Sequence, residues 1–77
     1  MAEAVILDCG PLGMLCHPRV NRAIVDWFRR LLLSGASVLL PEIADYEVRR
    51  ELIRAKLTRS IERLDRLKGQ LGYLPLS

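Results

Sequence analysis

The sequence predicts a three-layer α/β/α fold in which a short parallel sheet of three strands is covered by three to four helices. Two apolar runs, residues 4–7 and 37–40, have the length of buried strands and are too short for helices. Between and after these runs, apolar residues recur at helical spacing. A strand, a helix and a strand within about 35 residues form a βαβ unit, and its right-handed crossover makes the two strands parallel.

Length and composition limit the chain to one small domain. It has 77 residues, of which 51% are hydrophobic and only 5% aromatic, so Leu, Ile and Val must build most of the core. Such an apolar short chain is expected to expose apolar surface that a partner, a second copy or a continuation of the fold would cover.

A turn is expected after the first strand. The dipeptide Gly10-Pro11 and Gly13 are typical of turns, and Met14-Leu15 is too short for more than one helical turn.

The first helix is expected at residues 19–33. Pro18 favours a helix start because its missing N–H would be unpaired there, and Gly35 suits the position just after the last turn. The apolar residues of one face are Val20, Ile24, Trp27, Phe28 and Leu31.

Two further helices and a third strand are predicted for the second half of the chain. Pro41 begins a helix whose inner face carries Ala44, Val48, Leu52 and Ala55. Thr58 or Ser60 caps the next helix, whose inner face carries Ile61, Leu64, Leu67 and Leu71. Little sequence separates these helices, so a hairpin is expected, followed by a third parallel strand at residues 73–77.

Two carboxylates are expected to meet at the carboxyl ends of the strands. Asp8 ends the first strand, and Glu47 lies on the second turn of the helix after the second strand. Ligands of open α/β sheets bind at this edge, and paired carboxylates suit Mg²⁺ or Mn²⁺. The alternative for Asp8 is a helix cap that accepts backbone N–H groups near Leu12 or Gly13. Two neighbouring acids, Asp45 and Glu51, are expected to face solvent or to pair with Arg49, Arg54 or Lys56.

The basic residues are concentrated in the second half. The formal net charge is only +3, but residues 49–68 contain eight basic and three acidic residues. Such a face suits the phosphates of nucleic acid, and the alternative is a solvated helix surface with intrahelical ion pairs. Two cysteines give no disulfide framework, and no leader or membrane-length apolar run is present, so a cytoplasmic protein without membrane contact is expected.

Two segments resemble PIN domains. The segment Val5-Ile6-Leu7-Asp8-Cys9-Gly10-Pro11-Leu12-Gly13 is similar to the opening strand of that family, which ends in the first catalytic aspartate. The segment Leu39-Leu40-Pro41-Glu42-Ile43-Ala44-Asp45-Tyr46-Glu47-Val48 is similar to its second strand and the helix bearing its second acid. The VapC-like toxins of bacterial toxin-antitoxin pairs are the most similar members.

The resemblance implies a Mg²⁺- or Mn²⁺-dependent endoribonuclease that acts on RNA, forms a homodimer and is inhibited by an antitoxin protein. It makes Asp8 and Glu47 the catalytic residues and the metal ligands. Phosphate contacts are then expected from the arginines of the basic stretch: Arg49, Arg50, Arg54, Arg59 and Arg63.

The chain departs from the family after its third strand. A complete PIN domain continues with a helix, a fourth strand and further acids, so residues 1–77 are expected to form one domain that is incomplete at the C-terminus. The first strand, central in the family, would then lie at an edge. Three alternatives follow: an N-terminal part of a PIN domain, a non-catalytic module that dimerises or binds an antitoxin, or two chains that build a four-acid centre from both copies of Asp8 and Glu47.

Overall fold

The computed structural model, which describes residues 3–75, contains a parallel sheet of three strands. Strand β1 (Ala4–Ile6) pairs with β2 (Ser37–Pro41), and β2 pairs with β3 (Gly72–Leu74). The order β1-β2-β3 places β1 at an edge of this sheet. The prediction of three parallel strands is confirmed, although residues 76–77 of the predicted third strand lie outside the described part.

Four helices are present in the described residues. Helices α1 (Cys9–Cys16) and α2 (Arg22–Leu33) connect β1 to β2. Helices α3 (Glu42–Arg54) and α4 (Thr58–Gln70) connect β2 to β3. Within residues 3–75, none of the helices has the length and apolarity needed to cross a membrane.

The helices cover only one face of the sheet. Val38 and Leu40 point to the covered face and are 5% and 0% exposed, whereas Ile6 and Leu74 on the opposite face are 53% and 43% exposed. Both crossovers lead to the next strand in the same direction, so right-handed connections place all helices on one side. The described residues therefore form two layers, and the predicted third layer is wrong for this part of the chain.

The turn predicted at Gly10-Pro11 is wrong, because these residues belong to helix α1. Pro11 is the third residue of the helix, where an N–H has no partner within the helix, so its ring costs no hydrogen bond. Leu12 and Cys16 lie one turn apart and are both fully buried. Their burial against the core outweighs the low helix propensity of glycine and proline.

Helix α2 begins three residues later than predicted because Asn21 caps it. The Asn21 side chain accepts a hydrogen bond from the backbone N–H of Ile24 at 3.2 Å. Val20 therefore lies before the helix and is 65% exposed, so its assignment to the inner face is wrong. Phe28 is buried as predicted, and Gly35 ends the helix with a φ of 81°.

Helices α3 and α4 form the predicted hairpin, but its connection differs from the prediction. Leu57 is the N-cap of α4 and provides no side-chain cap, so neither Thr58 nor Ser60 caps the helix. Ser60 is instead 1% exposed. Ala55 follows the end of α3 and is exposed, so it does not belong to the inner face.

Candidate site at the carboxyl end of the sheet

Asp8 lies at the junction of β1 and α1. It is the N-cap of α1 in an extended conformation, and its backbone carbonyl accepts a hydrogen bond from Leu12 N–H at 3.0 Å. Its side chain forms no cap hydrogen bond and is exposed. The alternative role of Asp8 as a side-chain cap is therefore wrong, and the carboxylate is accessible from solvent.

Glu47 lies at the same end of the sheet. Its Oε2 atom accepts a hydrogen bond from the Cys9 Sγ atom at 3.3 Å. Cys9 directly follows Asp8, and consecutive Cα atoms are about 3.8 Å apart. The hydrogen bond therefore places Glu47 against the residue that directly follows Asp8. We call Asp8, Cys9 and Glu47 the mouth site.

The thiol of Cys9 acts as a hydrogen-bond donor in this site. Burial, the hydrogen bond to Glu47 and the negative charge of that carboxylate together raise the pKa of Cys9. The protonated thiol is a weak donor, so Glu47 keeps most of its acceptor capacity.

A groove of about 310 Å³ runs between α1 and α3 beside the mouth site. Cys9 and Glu47 line one end, and Gly13 adds no side chain to the α1 wall. Arg50 also lines this groove, and its guanidinium lies 6.0 Å from the ring centroid of Tyr46. The groove therefore has a cationic side chain next to a carboxylate.

The donor set of the mouth site suits a hard cation that keeps water ligands. Within residues 3–75, no group of three or more His, Cys, Asp or Glu side chains could by itself hold a metal ion. Mg²⁺, however, is commonly bound by only one or two carboxylates together with water and substrate phosphates. Two carboxylates are the ligand type of that open arrangement, and they are too few for a closed structural metal site.

Asp45 forms a second acidic location, two residues before Glu47. It is 5% exposed and lies within salt-bridge distance of Arg49 at 3.0 Å and Lys68 at 3.2 Å. The Tyr73 hydroxyl donates a hydrogen bond to it at 3.5 Å. The predicted pairing with Arg49 is confirmed, whereas the predicted solvent exposure is wrong.

The sequence contained a signal for this burial. Asp45 precedes Val48 and Leu52 by three and seven residues, which is the spacing of one helix face, and both of these residues are buried. With Asp65, which accepts a hydrogen bond from Arg49 at 2.7 Å, the group forms what we call the Asp45 cluster. Its members are Asp45, Arg49, Asp65, Lys68 and Tyr73.

Arg49 is engaged inside that cluster. Although burial disfavours its charged form, the hydrogen bonds to Asp65 and Asp45 raise the pKa of its guanidinium. Its Nη2 atom donates to two carboxylates of the protein, and their negative charges oppose the phosphate contact that the sequence predicted.

The other predicted phosphate contacts differ in their surroundings. Arg54 forms a surface ion pair with Glu51 at 2.6 Å, which confirms the prediction that Glu51 pairs with a neighbouring cation. The Arg63 Nη1 atom donates a hydrogen bond to the His17 carbonyl at 2.8 Å. Arg59 lines a cleft at the start of α4.

Comparison of the chain with protein-family models, curated proteins and solved structures found no match. A functional interpretation therefore depends on the geometry of the mouth site and on the resemblance of residues 5–13 and 39–48.

Proposed function

We propose that this chain is a PIN-like, VapC-like ribonuclease domain whose mouth site binds Mg²⁺ or Mn²⁺. The observation that carries the proposal is the hydrogen bond between Glu47 and Cys9, the residue that directly follows Asp8. In parallel sheets this edge is the usual location of ligands. The antitoxin partner and the cytoplasmic location follow from the resemblance alone.

In this proposal, each side chain of the mouth site has a role that its chemistry determines. Asp8 and Glu47 supply the oxygen ligands, and a bound divalent cation would activate water and neutralise charge on a phosphate. Arg50 lines the adjoining groove and holds a substrate phosphate through charge-assisted hydrogen bonds. Cys9 orients the Glu47 carboxylate through its thiol.

Cleavage of a single-stranded RNA in the presence of Mn²⁺ tests the proposal. Asp8→Asn and Glu47→Gln are each expected to lower the rate at least about 100-fold, since loss of a ligand should exceed the loss typical of outer partners. Asp26→Asn is the matched control, because Asp26 is an exposed acid on α2 and does not line the groove beside the mouth site. We expect it to keep the wild-type rate.

Two outcomes of this assay would contradict the proposal. One is a wild-type chain that leaves the RNA intact with Mn²⁺ and with Mg²⁺. The other is cleavage that persists in EDTA or in both mouth-site variants, since the activity would then have another source.

A second candidate function is self-association, which the open face and edge of the sheet favour. The carbonyl of Glu3 and the N–H of Leu7 bond to β2, so the backbone groups of Ala4 and Ile6 point away from it at the edge. The chain exposes 5596 Å², whereas a folded monomer of this mass exposes about 4,800 Å².

We propose that a second copy of the chain pairs with β1 in this candidate. A two-fold axis makes the paired β1 strands antiparallel, so the two copies of Asp8 lie at opposite ends of the shared sheet. This pairing is incompatible with a four-acid centre built from two chains. Light scattering after size-exclusion chromatography should show a dimer that Ile6→Lys converts to a monomer, whereas Ile53→Lys, at an equally exposed position on α3, should not. A monomeric wild-type chain would contradict the pairing.

A further inference from the structure

A basic cleft lies between the end of α1 and the start of α4. Its volume is about 370 Å³, and Lys56, Arg59 and Arg63 contribute positive charge to its lining. Pro18 and Thr58 form part of the remaining wall. None of the lining residues is acidic, and the first turn of α4 contains no acidic residue. We call this the α4 cleft.

The fold brings these three cations together. Lys56 lies in the connection between α3 and α4 and adopts a left-handed conformation with φ 57°. This connection forms part of the cleft wall. Arg63 is held by its hydrogen bond to the His17 carbonyl, which uses one of its five N–H donors. The cleft therefore gathers charge from three positions that are up to seven residues apart in the sequence.

The nearby carboxylates do not neutralise this charge. Glu51 pairs with Arg54, and Glu62 on the next turn of α4 is exposed and does not line the cleft. In the Asp45 cluster, by contrast, Arg49 and Lys68 each meet a carboxylate within 3.2 Å. Among the described basic groups, those of the α4 cleft thus remain available to an external anion.

The start of α4 also favours the binding of an anion in the cleft. The N-cap residue Leu57 supplies no side-chain cap, and the helix has 13 residues, so its dipole adds positive potential at this end. The first N–H groups of a helix have no partner within the helix, and oxyanions commonly accept hydrogen bonds from them. The hydroxyl of Thr58 is a further donor.

We propose that the α4 cleft binds a backbone phosphate of the RNA strand whose cleavage was proposed above. This inference rests on the proposed function and adds a second contact point for the substrate. Helix α1 links the two locations, because Cys9 at its start contacts Glu47 and His17 after its end contacts Arg63. An eight-residue helix is about 12 Å long.

The test measures the affinity of a short single-stranded RNA by fluorescence anisotropy in EDTA, so that no cleavage occurs. Lys56→Gln and Arg59→Gln are each expected to weaken binding about three- to ten-fold and to reduce the salt dependence by about one released counterion. Arg66→Gln is the matched control, because Arg66 is an exposed cation on the same helix and does not line the cleft. It should leave the affinity within about two-fold.

A second measurement is independent of RNA. Inorganic phosphate should shift the backbone amide NMR signals of residues 58–60 in the wild-type chain, and Lys56→Gln and Arg59→Gln should reduce these shifts. RNA affinity that falls equally in Arg66→Gln and in the cleft variants would overturn the proposal, because the effect would then reflect net charge. The absence of phosphate-induced shifts would overturn it as well.

The outcomes separate this proposal from the proposed nuclease function. RNA that binds through the cleft and is not cleaved with Mn²⁺ would contradict the nuclease function and support the cleft. RNA that is cleaved at the wild-type rate and bound with unchanged affinity in both cleft variants would support the nuclease function and overturn the cleft.

Discussion

Asp45 and Glu47 are acids two residues apart on helix α3, and their environments are opposite. Asp45 is buried and contacts two cations and a hydroxyl, whereas Glu47 is exposed and accepts one hydrogen bond from a thiol. Two helical residues differ in direction by about 200°, so one points to the hairpin and the other to the mouth site. The same chemical group is therefore saturated in one place and available for a ligand in the other.

The Asp45 cluster and the mouth site also differ in the ion pairs that they form. The Asp45 cluster contains two carboxylates and two cations, Arg49 and Lys68, in direct contact. None of the ion pairs formed by the described residues involves Asp8 or Glu47. The comparison predicts that substitutions in the cluster change stability and that substitutions in the mouth site change binding.

The largest expected effect is the loss of stability in Asp45→Asn. An amide cannot neutralise Arg49 and Lys68, and breaking a buried ion pair typically costs about 3 to 5 kcal/mol. Because both cations keep part of their solvent contact, we expect about 3 kcal/mol, measured as the free energy of unfolding in urea. Glu47→Gln is the control and should change that free energy by less than about 0.5 kcal/mol. Equal losses in the two variants would remove the distinction between the regions.

The cysteines allow a second comparison, between the core and the mouth site. Burial raises the pKa of the fully buried Cys16 to about 11 from 9.0, and the charges of Arg63 and Arg49 oppose this only in part. Between pH 9 and 11 the unfolded chain loses this proton while the folded chain retains it, so stability falls as pH rises. The loss should approach about 2 to 3 kcal/mol by pH 11.

Urea unfolding across this pH range checks the prediction, with Cys16→Ala compared with the wild-type chain so that other titrating groups cancel. The alkaline loss should be smaller in Cys16→Ala and should persist largely in Cys9→Ser. The same pH dependence in Cys16→Ala and the wild-type chain would contradict the assignment to this thiol.

A smaller effect is expected in the rates at which a thiol reagent modifies Cys9 and Cys16. Cys9 is partly exposed at the mouth site, whereas Cys16 is fully buried. Iodoacetamide should modify Cys9 of the folded chain at least about ten times faster than Cys16, because Cys16 reacts only when the structure opens. Mass spectrometry of the modified peptides gives both rates. Similar rates would indicate that α1 opens readily and does not hold the mouth site in place.

The pattern of the sequence was sufficient for the three parallel strands, and therefore for the end of the sheet at which helices α1 and α3 begin. Apolar runs gave the strands, and the βαβ connection made them parallel, so Asp8 and Glu47 had to lie at the same end. These features depend on rules that hold regardless of the local packing.

Features that depend on tertiary contacts were not predicted. Helix α1 contains Gly10-Pro11, and only the burial of Leu12 and Cys16 makes it stable. The edge position of β1 was expected from the family resemblance and is observed, whereas the open face of the sheet was not predicted. Asp45 was predicted to face solvent or to pair with a neighbouring cation, and its burial was not predicted although its spacing placed it on the inner face.

Binding of Mn²⁺ followed by isothermal titration calorimetry tests the central claim most directly. The claim is that the carboxylates at positions 8 and 47 share one cation. The wild-type chain should bind Mn²⁺ saturably at one site, and Asp8→Asn and Glu47→Gln should each weaken the Kd at least about ten-fold, or 1.4 kcal/mol. Asp26→Asn, at an exposed acid on α2, should bind like the wild-type chain. Absence of saturable binding, or an unchanged Kd in Asp8→Asn and Glu47→Gln, would contradict the claim.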